Sequence, residues 1–278
     1  MSPTGLLRGK TAIITGGTTG IGRAIALEYL RQGCNVVVNH LGLARDAGHL
    51  ASLEREAGAL AEAAAAAGDV GVLDHLAGDV SDPATGPALV RHAVARFGRL
   101  DVCVSNAGIC EFAEFLTLGG DLWARTVRTN LDGAFYVVQA AAQQMAAQAP
   151  APAAEGGGRG AIIGVSSISA LVGGGRQAHY TPTKAGVLSL MQSCAVALGP
   201  HAIRCNALLP GTVRTQLNDA DLADPAKRAY MEGRIPLGRT GDPRDLAGPA
   251  VFLASDYLSG YVTGAQLLVD GGLFVNLQ

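Results

Sequence analysis

Short runs rich in β-branched and apolar residues recur along the chain, and between them lie longer stretches of helix-forming composition. That alternation is the pattern of strand, crossover helix and strand, and it predicts an α/β fold built on one parallel sheet. The expected strands are Thr11–Thr15, Asn35–Asn39, Val70–Leu76, Leu100–Ser105, Ala161–Ser166, Ile203–Leu209 and Gln266–Val269. Several are apolar at consecutive positions, as a strand must be when helices cover both faces of its sheet. Helices are expected over Ile21–Gln32, Leu53–Ala67, Ala84–Phe97, Asp121–Gln148, Thr183–Leu198 and Pro243–Leu253. One continuous sheet implies a single domain over residues 1–278.

Composition narrows the function. The 21 basic and 23 acidic side chains leave a formal net charge of −2, with no polybasic footprint for nucleic acid or an anionic membrane. No apolar run reaches the roughly 18 residues of a membrane span. Met1–Lys10 lacks the charged start, apolar core and cleavage site of a signal peptide, so a cytoplasmic location is expected. Cys34, Cys103, Cys110, Cys194 and Cys205 show neither paired nor metal-ligand spacing and read as buried thiols, and no metal site is expected. Ala57–Gly68 is mostly alanine and reads as packing or solvated helix face. Ala149–Gly160 is a low-complexity insert expected to enter the fifth strand at its amino end, away from any ligand.

The first strand runs into Thr15-Gly16-Gly17-Thr18-Thr19-Gly20-Ile21-Gly22 and then a helix. Such a turn lets backbone approach a pyrophosphate and aims helix N-terminal N–H groups at it. Its spacing is G-x-x-x-G-x-G, and taken alone it is equally a tight turn. Gly78-Asp79-Val80 follows the third strand, where Asp79 can accept from an adenine amino group, and Asn106-Ala107-Gly108 closes the fourth. Each is ordinary turn chemistry alone. In order at successive strand ends they outline one crevice. At the end of the second strand, Asn39 and His40 stand where a carboxylate would bind ribose hydroxyls and repel a 2′-phosphate. Thr19 offers no cation to attract that phosphate, which leaves His40 and Arg45 as the nearby donors. NAD with NADP also accepted is the cofactor expectation.

Tyr180 and Lys184 are four residues apart, hence on one helix face. An unperturbed phenol titrates near about 10, and a neighbouring cation favours its ionised form, so the pair makes a candidate base for an alcohol. A lone pair of this kind is more often a surface contact. Ser167, thirteen residues upstream and just past the fifth strand, is placed to hold the reacting oxygen. Asn130 lies inside the expected long helix, where an amide is usually decoration; a held water for proton relay is the functional alternative.

The glycine turn, Gly78-Asp79-Val80, Asn106-Ala107-Gly108, the Asn130 segment, Ser167, Tyr180-x-x-x-Lys184 and Pro210-Gly211-Thr212 together resemble the short-chain dehydrogenase/reductase family over nearly the whole chain. The resemblance implies a Rossmann-like, doubly wound sheet of seven parallel strands. It also implies a nicotinamide cofactor, a cofactor half near 1–160, a catalytic and substrate half near 161–278, and usually a homotetramer. It assigns Asn130, Ser167, Tyr180 and Lys184 to catalysis. It assigns Gly16, Thr18, Thr19, Gly20, Ile21, Gly22, Asn39, His40, Asp79, Val80, Asn106, Ala107, Gly108, Pro210, Gly211, Thr212, Val213 and Thr215, with Tyr180 and Lys184, to the cofactor. The family's acidic residue on the second strand is absent.

Within that family, residues 164–193, 230–243 and 267–278 are similar to the L-rhamnose 1-dehydrogenases, which implies oxidation of a free sugar at C1 to the lactone in sugar catabolism. A pyranose needs short polar groups near the phenol, and Ser169, Gln177, Thr212 and Asn218 supply candidates beside Ser167 and Tyr180. Each alone is ordinary loop chemistry. The rival inside the family is a reductase of carrier-bound 3-oxoacyl chains, for which Phe112, Phe115 and Leu217 would line an apolar slot. A Ser/His hydrolase is disfavoured because Gly164-Val165-Ser166-Ser167-Ile168 fails G-x-S-x-G at its last position. A catalytically silent nucleotide-binding regulator would have no use for the Tyr180/Lys184 pair.

Overall fold

The computed structural model describes residues 5–64, 70–151 and 157–276. The strands are β1 (Thr11–Ile14), β2 (Asn35–His40), β3 (Leu73–Ala77), β4 (Val102–Ser105), β5 (Gly160–Val165), β6 (Ile203–Pro210) and β7 (Gln266–Val269). The helices are α1 (Gly20–Arg31), α2 (Ala44–Ala63), α3 (Thr85–Phe97), α4 (Gly120–Val127), α5 (Gly133–Ala147), α6 (Thr181–Leu198), α7 (Asp219–Leu222), α8 (Pro225–Arg234), α9 (Ala247–Ala254) and α10 (Asp256–Ser259). All seven strands join one parallel sheet in the order β3-β2-β1-β4-β5-β6-β7.

Consecutive strand residues feed different cores, which is why the strands are apolar throughout. Ile14, Val36, Val38, Val104 and Leu208 pack with Ile25, Leu30 and Val251 of α1 and α9. Their neighbours Ile13, Val37, Cys103, Cys205 and Leu209 pack on the other face with Leu89, Val137, Met145 and Met191 of α3, α5 and α6. The order reverses between β1 and β4, which pair directly although two strands separate them in sequence. The carboxyl ends of these two strands therefore flank the crevice where open α/β sheets take ligands.

Several expected boundaries move. The third strand starts at Leu73 rather than Val70, because Gly71 is held against α1: its N–H donates to Leu30 O, and a Cβ there would fall 1.8 Å from Cys34 O. The second crossover helix begins at Ala44, nine residues before Leu53. Leu53 is its one fully buried residue, so this stretch lacks the apolar periodicity that reveals a helix. Its expected end, residues 65–67, lies outside the described residues. The helix expected over Asp121–Gln148 is three pieces, with a π-turn at Arg128–Asp132 between α4 and α5. Pro243–Leu253 likewise divides into a 3₁₀ turn, Pro243–Leu246, and α9. The described flanks of the insert meet as Ala151 N–H donates to Gly158 O, just before the amino end of β5. Residues 152–156 lie outside the described residues.

Candidate active site

The glycine spacing is explained by close contacts at the β1–α1 turn. Gly16 and Gly20 have φ of +61° and +53°, left-handed values that favour glycine. A Cβ on Gly22 would fall 2.4 Å from Gly16 O, and one on Gly17 would fall 2.6 Å from Val38 Cγ1. Across the switch point, Asn106 Nδ2 donates to Thr15 O at 2.9 Å and Gly16 O at 3.2 Å. Asn106 and Ala107 N–H both donate to Thr15 Oγ1, at 2.9 and 3.0 Å. Thr19 caps α1 with no side-chain hydrogen bond, so the helix N-terminus keeps its N–H groups for an anion. Thr215 covers the turn, its Cγ2 standing 3.3 Å from where a Cβ on Gly20 would be. Val213 is buried and bridges to Gly241, which fixes the start of that cover.

At the ends of β2 and β3 the side chains bind each other. Asn39 is buried, and its Nδ2 donates to Gly78 O at 2.8 Å. Its backbone O accepts from Gly17 N–H, so Asn39 ties β2 and β3 to the glycine turn. Asp79 Oδ1 accepts from Ser81 N–H at 2.9 Å, the turn role weighed for it from sequence, and Val80 is buried. His40 accepts Gly42 N–H on Nδ1 at 3.0 Å, with its Nε2 lying 3.2 Å from His75 Nδ1. Burial and His75 both lower its pKa. His40 is thus engaged at both ring nitrogens by the protein's own groups.

Tyr180 caps α6, and Lys184 lies one turn in. Ser166 Oγ donates to Lys184 O at 2.7 Å, fastening this turn to the end of β5. Lys184 Nζ donates to Val165 O at 2.9 Å and sits 5.5 Å from the centroid of the Tyr180 ring. Burial draws the ammonium down to about 8. Burial also raises the Tyr180 phenol, the Cys110 thiol adds to that rise, and a hydrogen bond with the Ser167 hydroxyl opposes it. The lysine therefore lies over the ring face and does not touch the phenolic oxygen. Burial works against the ionisation that the neighbouring cation favours.

Ser167 is oriented by its neighbour: Ser169 N–H donates to its Oγ at 3.1 Å, which leaves the Ser167 O–H to donate to Tyr180. Asn130 is buried in the π-turn with its amide fully engaged. Its Oδ1 accepts Ile109 N–H at 2.8 Å, and its Nδ2 donates to Ile109 O at 2.9 Å and Thr183 Oγ1 at 3.2 Å. The side chain thus locks the loop after β4 to the first turn of α6. Gly108 lies in the same corner, where a Cβ would stand 3.3 Å from Asn130 Oδ1 and 3.5 Å from Lys184 Nζ.

The candidate sugar contacts divide. Ser169 and Thr212 are half-buried, and their hydroxyls bond no partner among the described residues. Gln177 Nε2 donates to Cys110 Sγ at 3.4 Å. Asn218 closes its own loop, its Oδ1 accepting Thr215 N–H and its Nδ2 donating to Val213 O, each at 2.9 Å. Cys110 is the site residue that sequence reasoning missed. Half-buried, it interacts with both Tyr180 and Lys184, whereas its isolated spacing signalled only a core thiol. Its position two residues after Asn106-Ala107-Gly108 was the available signal. Phe112, Phe115 and Leu217 are 38%, 68% and 50% exposed and form no enclosed apolar slot.

A sequence family described as enoyl-(acyl carrier protein) reductase matches residues 16–274. A solved short-chain type dehydrogenase/reductase from Mycobacterium marinum superposes with a TM-score of 0.78, at 34% identity, covering 96% of each chain. The chain belongs to the short-chain dehydrogenase/reductase family. Within that family it is 59% identical over 99% of its length to an L-rhamnose-1-dehydrogenase of Scheffersomyces stipitis, covering all of that protein. It is 56% identical over 98% of its length to an L-rhamnose 1-dehydrogenase (NAD(P)(+)) of Azotobacter vinelandii, again covering all of it.

The dinucleotide of short-chain dehydrogenases fits the residues present. The cradle at Gly16, Gly17, Gly20 and Gly22 has no room for side chains. The buried Lys184 ammonium has one acceptor among the described residues, Val165 O, leaving donor capacity for ribose hydroxyls. Pro210 ends β6, and Gly211 after it packs so closely on Asp270 that a Cβ would fall 2.6 Å from Asp270 Cβ. No group of three or more metal-ligating side chains occurs among the described residues, and no described helix is long and apolar enough to cross a membrane.

Proposed function

We propose that this protein oxidises L-rhamnose at its anomeric carbon to the lactone, using NAD or NADP. The observation that carries the reading is 59% and 56% identity, end to end, to proteins named for that reaction. The site supports it chemically. Ser169 and Gln177 lie on the segment joining Ser167 to Tyr180, Thr212 offers a half-buried hydroxyl after β6, and a site that bonds hydroxyls discriminates against analogues lacking them.

The nicotinamide, when bound oxidised, would supply the hydride acceptor. The Ser167 hydroxyl, by its hydrogen bond, opposes the burial that keeps Tyr180 protonated. Ionised Tyr180 takes the C1 hydroxyl proton at Oη as the C1–H bond gives up its hydride and C1=O forms. Ser167 Oγ–H holds the substrate oxygen, and Lys184 holds the ribose. Asn130 keeps the loop after β4 against the first turn of α6, which carries Tyr180 at its start and Lys184.

L-Mannose and L-lyxose, which share the configuration nearest C1, are expected to be weaker substrates; the 6-methyl group adds about 1–3 kcal/mol of discrimination. The matching family's description favours an acyl-carrier substrate as the second reading. Absorbance of reduced nicotinamide decides between them. Rhamnose-dependent growth is expected, whereas none with either cofactor, alongside ready reduction of a carrier-bound 3-oxoacyl chain, would establish the second reading.

A cytoplasmic homotetramer completes the proposal. Between α5 and α6 lies an open groove of about 500 Å³ lined in part by Leu131, Phe135, Tyr136 and Leu190, a face suited to a second copy. The tail adds exposed Val275, whereas Leu277 lies outside the described residues. A monomeric mass by light scattering at micromolar concentration would count against the assembly.

A further inference from the structure

A directed pair of hydrogen bonds runs from the turn after β2 through His40 to His75 on β3, with Glu54 of α2 beyond it. Gly42 N–H donates to His40 Nδ1 at 3.0 Å, His40 Nε2 lies 3.2 Å from His75 Nδ1, and His75 Nε2 lies 3.7 Å from Glu54 Oε1. An amide N–H only donates, and an ionised carboxylate only accepts. With Nδ1 fixed as acceptor, neutral His40 carries its proton on Nε2 and gives it to His75 Nδ1. His75 then carries its own proton on Nε2, towards Glu54. Each ring is held in one tautomer from both sides.

Sheet register makes the pairing. His75 lies opposite Val38, two residues before His40, so both rings stand on the face of the sheet that Val38 presents. That is the face of the glycine turn, since a Cβ on Gly17 would strike Val38. The ring centroids are 5.3 Å apart. Asp46 of α2 is the charge that favours protonation of His40; burial and His75 oppose it. From β3, Asp74 is turned to the opposite face, where it binds His92 and Arg96 of α3.

We propose that His75 is a positioning residue for cofactor choice: it engages His40 Nε2, so that this ring has no N–H left for a 2′-phosphate. The site then neither repels that phosphate, as a carboxylate would, nor grips it, as a cation would. The inference rests on the nicotinamide reading above and explains acceptance of both cofactors by a built feature rather than by a missing one.

The experiment is calorimetric binding of NAD and NADP to the assembled wild-type protein and to His75→Leu at pH 6 and pH 8. Removing His75 takes away one of the two causes that hold His40 below its ordinary range, so His40 gains protonated fraction at pH 6 and stays neutral at pH 8. The variant's affinity ratio is expected to move about tenfold towards NADP at pH 6, the scale of one hydrogen bond to a charged group, and by less at pH 8, where only the freed Nε2–H of the neutral ring meets the phosphate. The double variant His40→Ala/His75→Leu should lose that shift. An unchanged ratio at both pH values in folded His75→Leu, or a shift that survives in the double variant, overturns the proposal. Long-range ¹H–¹⁵N correlation on the wild-type imidazoles gives a second readout needing no variant: Nε2–H tautomers on both rings are expected, and an Nδ1–H on His40 overturns it. Both nucleotides binding with no such shift sinks this inference alone, whereas neither binding sinks the nicotinamide reading and this one with it.

Discussion

Lys184→Met tests how the site is held together. Lys184 is 5% exposed, and burial draws its ammonium from an ordinary 10.5 to about 8. Below pH 8 the folded and unfolded chains both carry the proton, so the full cost of burying the charge is present. Between pH 8 and 10.5 the unfolded chain binds more protons than the folded one, and stability rises with pH. The whole interval corresponds to about 3 kcal/mol, and the portion from pH 7 to 9.5 to about 2 kcal/mol. Methionine keeps the length and apolar stem without the charge and loses only the bond to Val165 O. Urea denaturation at pH 7 should find Lys184→Met as stable as the wild type or more so, with turnover abolished. At pH 9.5 the comparison should shift by about 2 kcal/mol in favour of the wild type, other titrations being common to both proteins and cancelling. A difference that stays constant over this range would refute the view of Lys184 as a buried charge kept against its solvation energy for function.

Tyr180→Phe should lower turnover about 10²- to 10⁴-fold with nicotinamide binding retained, and Ser167→Ala should act similarly; near-normal steady-state rates would remove both from the chemistry. Gly22→Ala places a methyl 2.4 Å from Gly16 O, so cofactor affinity measured by calorimetry should collapse, and an unaltered affinity would show that the turn does not cradle the dinucleotide. His40→Asp restores a carboxylate at the end of β2 and should depress kcat/KM for NADP while sparing NAD; equal effects on both would mean that position 40 lies away from the 2′-phosphate. Thr212→Val should raise KM for rhamnose without weakening cofactor binding, and an unchanged KM would exclude its hydroxyl from the sugar site.

Features legible in the sequence are those whose cause is local. Consecutive apolar residues at Val36, Val37 and Val38 announce a strand buried on both faces, because the backbone sends alternate side chains to opposite sides. Gly16, Gly20 and Gly22 announce a phosphate-sized turn, because left-handed φ and a missing Cβ are requirements of single residues. Tyr180 and Lys184 announce a pair because one helical turn separates them. Spacing alone reached no further than this. It showed two titratable groups together but not that Lys184 is buried and Tyr180 half-buried, so it could not weigh the desolvation that opposes the ionisation of each. The π-turn at Asn130 arises because its amide must meet Ile109 and Thr183, residues 21 positions before and 53 after it. Cys110 meets Gln177 across 67 residues, and His40 meets His75 across 35, only because sheet order and register put them there. Asn218 offered a polar group for a sugar, but two backbone partners within five residues claim it once the loop closes. A chain's propensities act over a turn of helix or a strand pair, whereas a binding site is made where distant segments meet, and that meeting is decided by how two cores pack on one sheet.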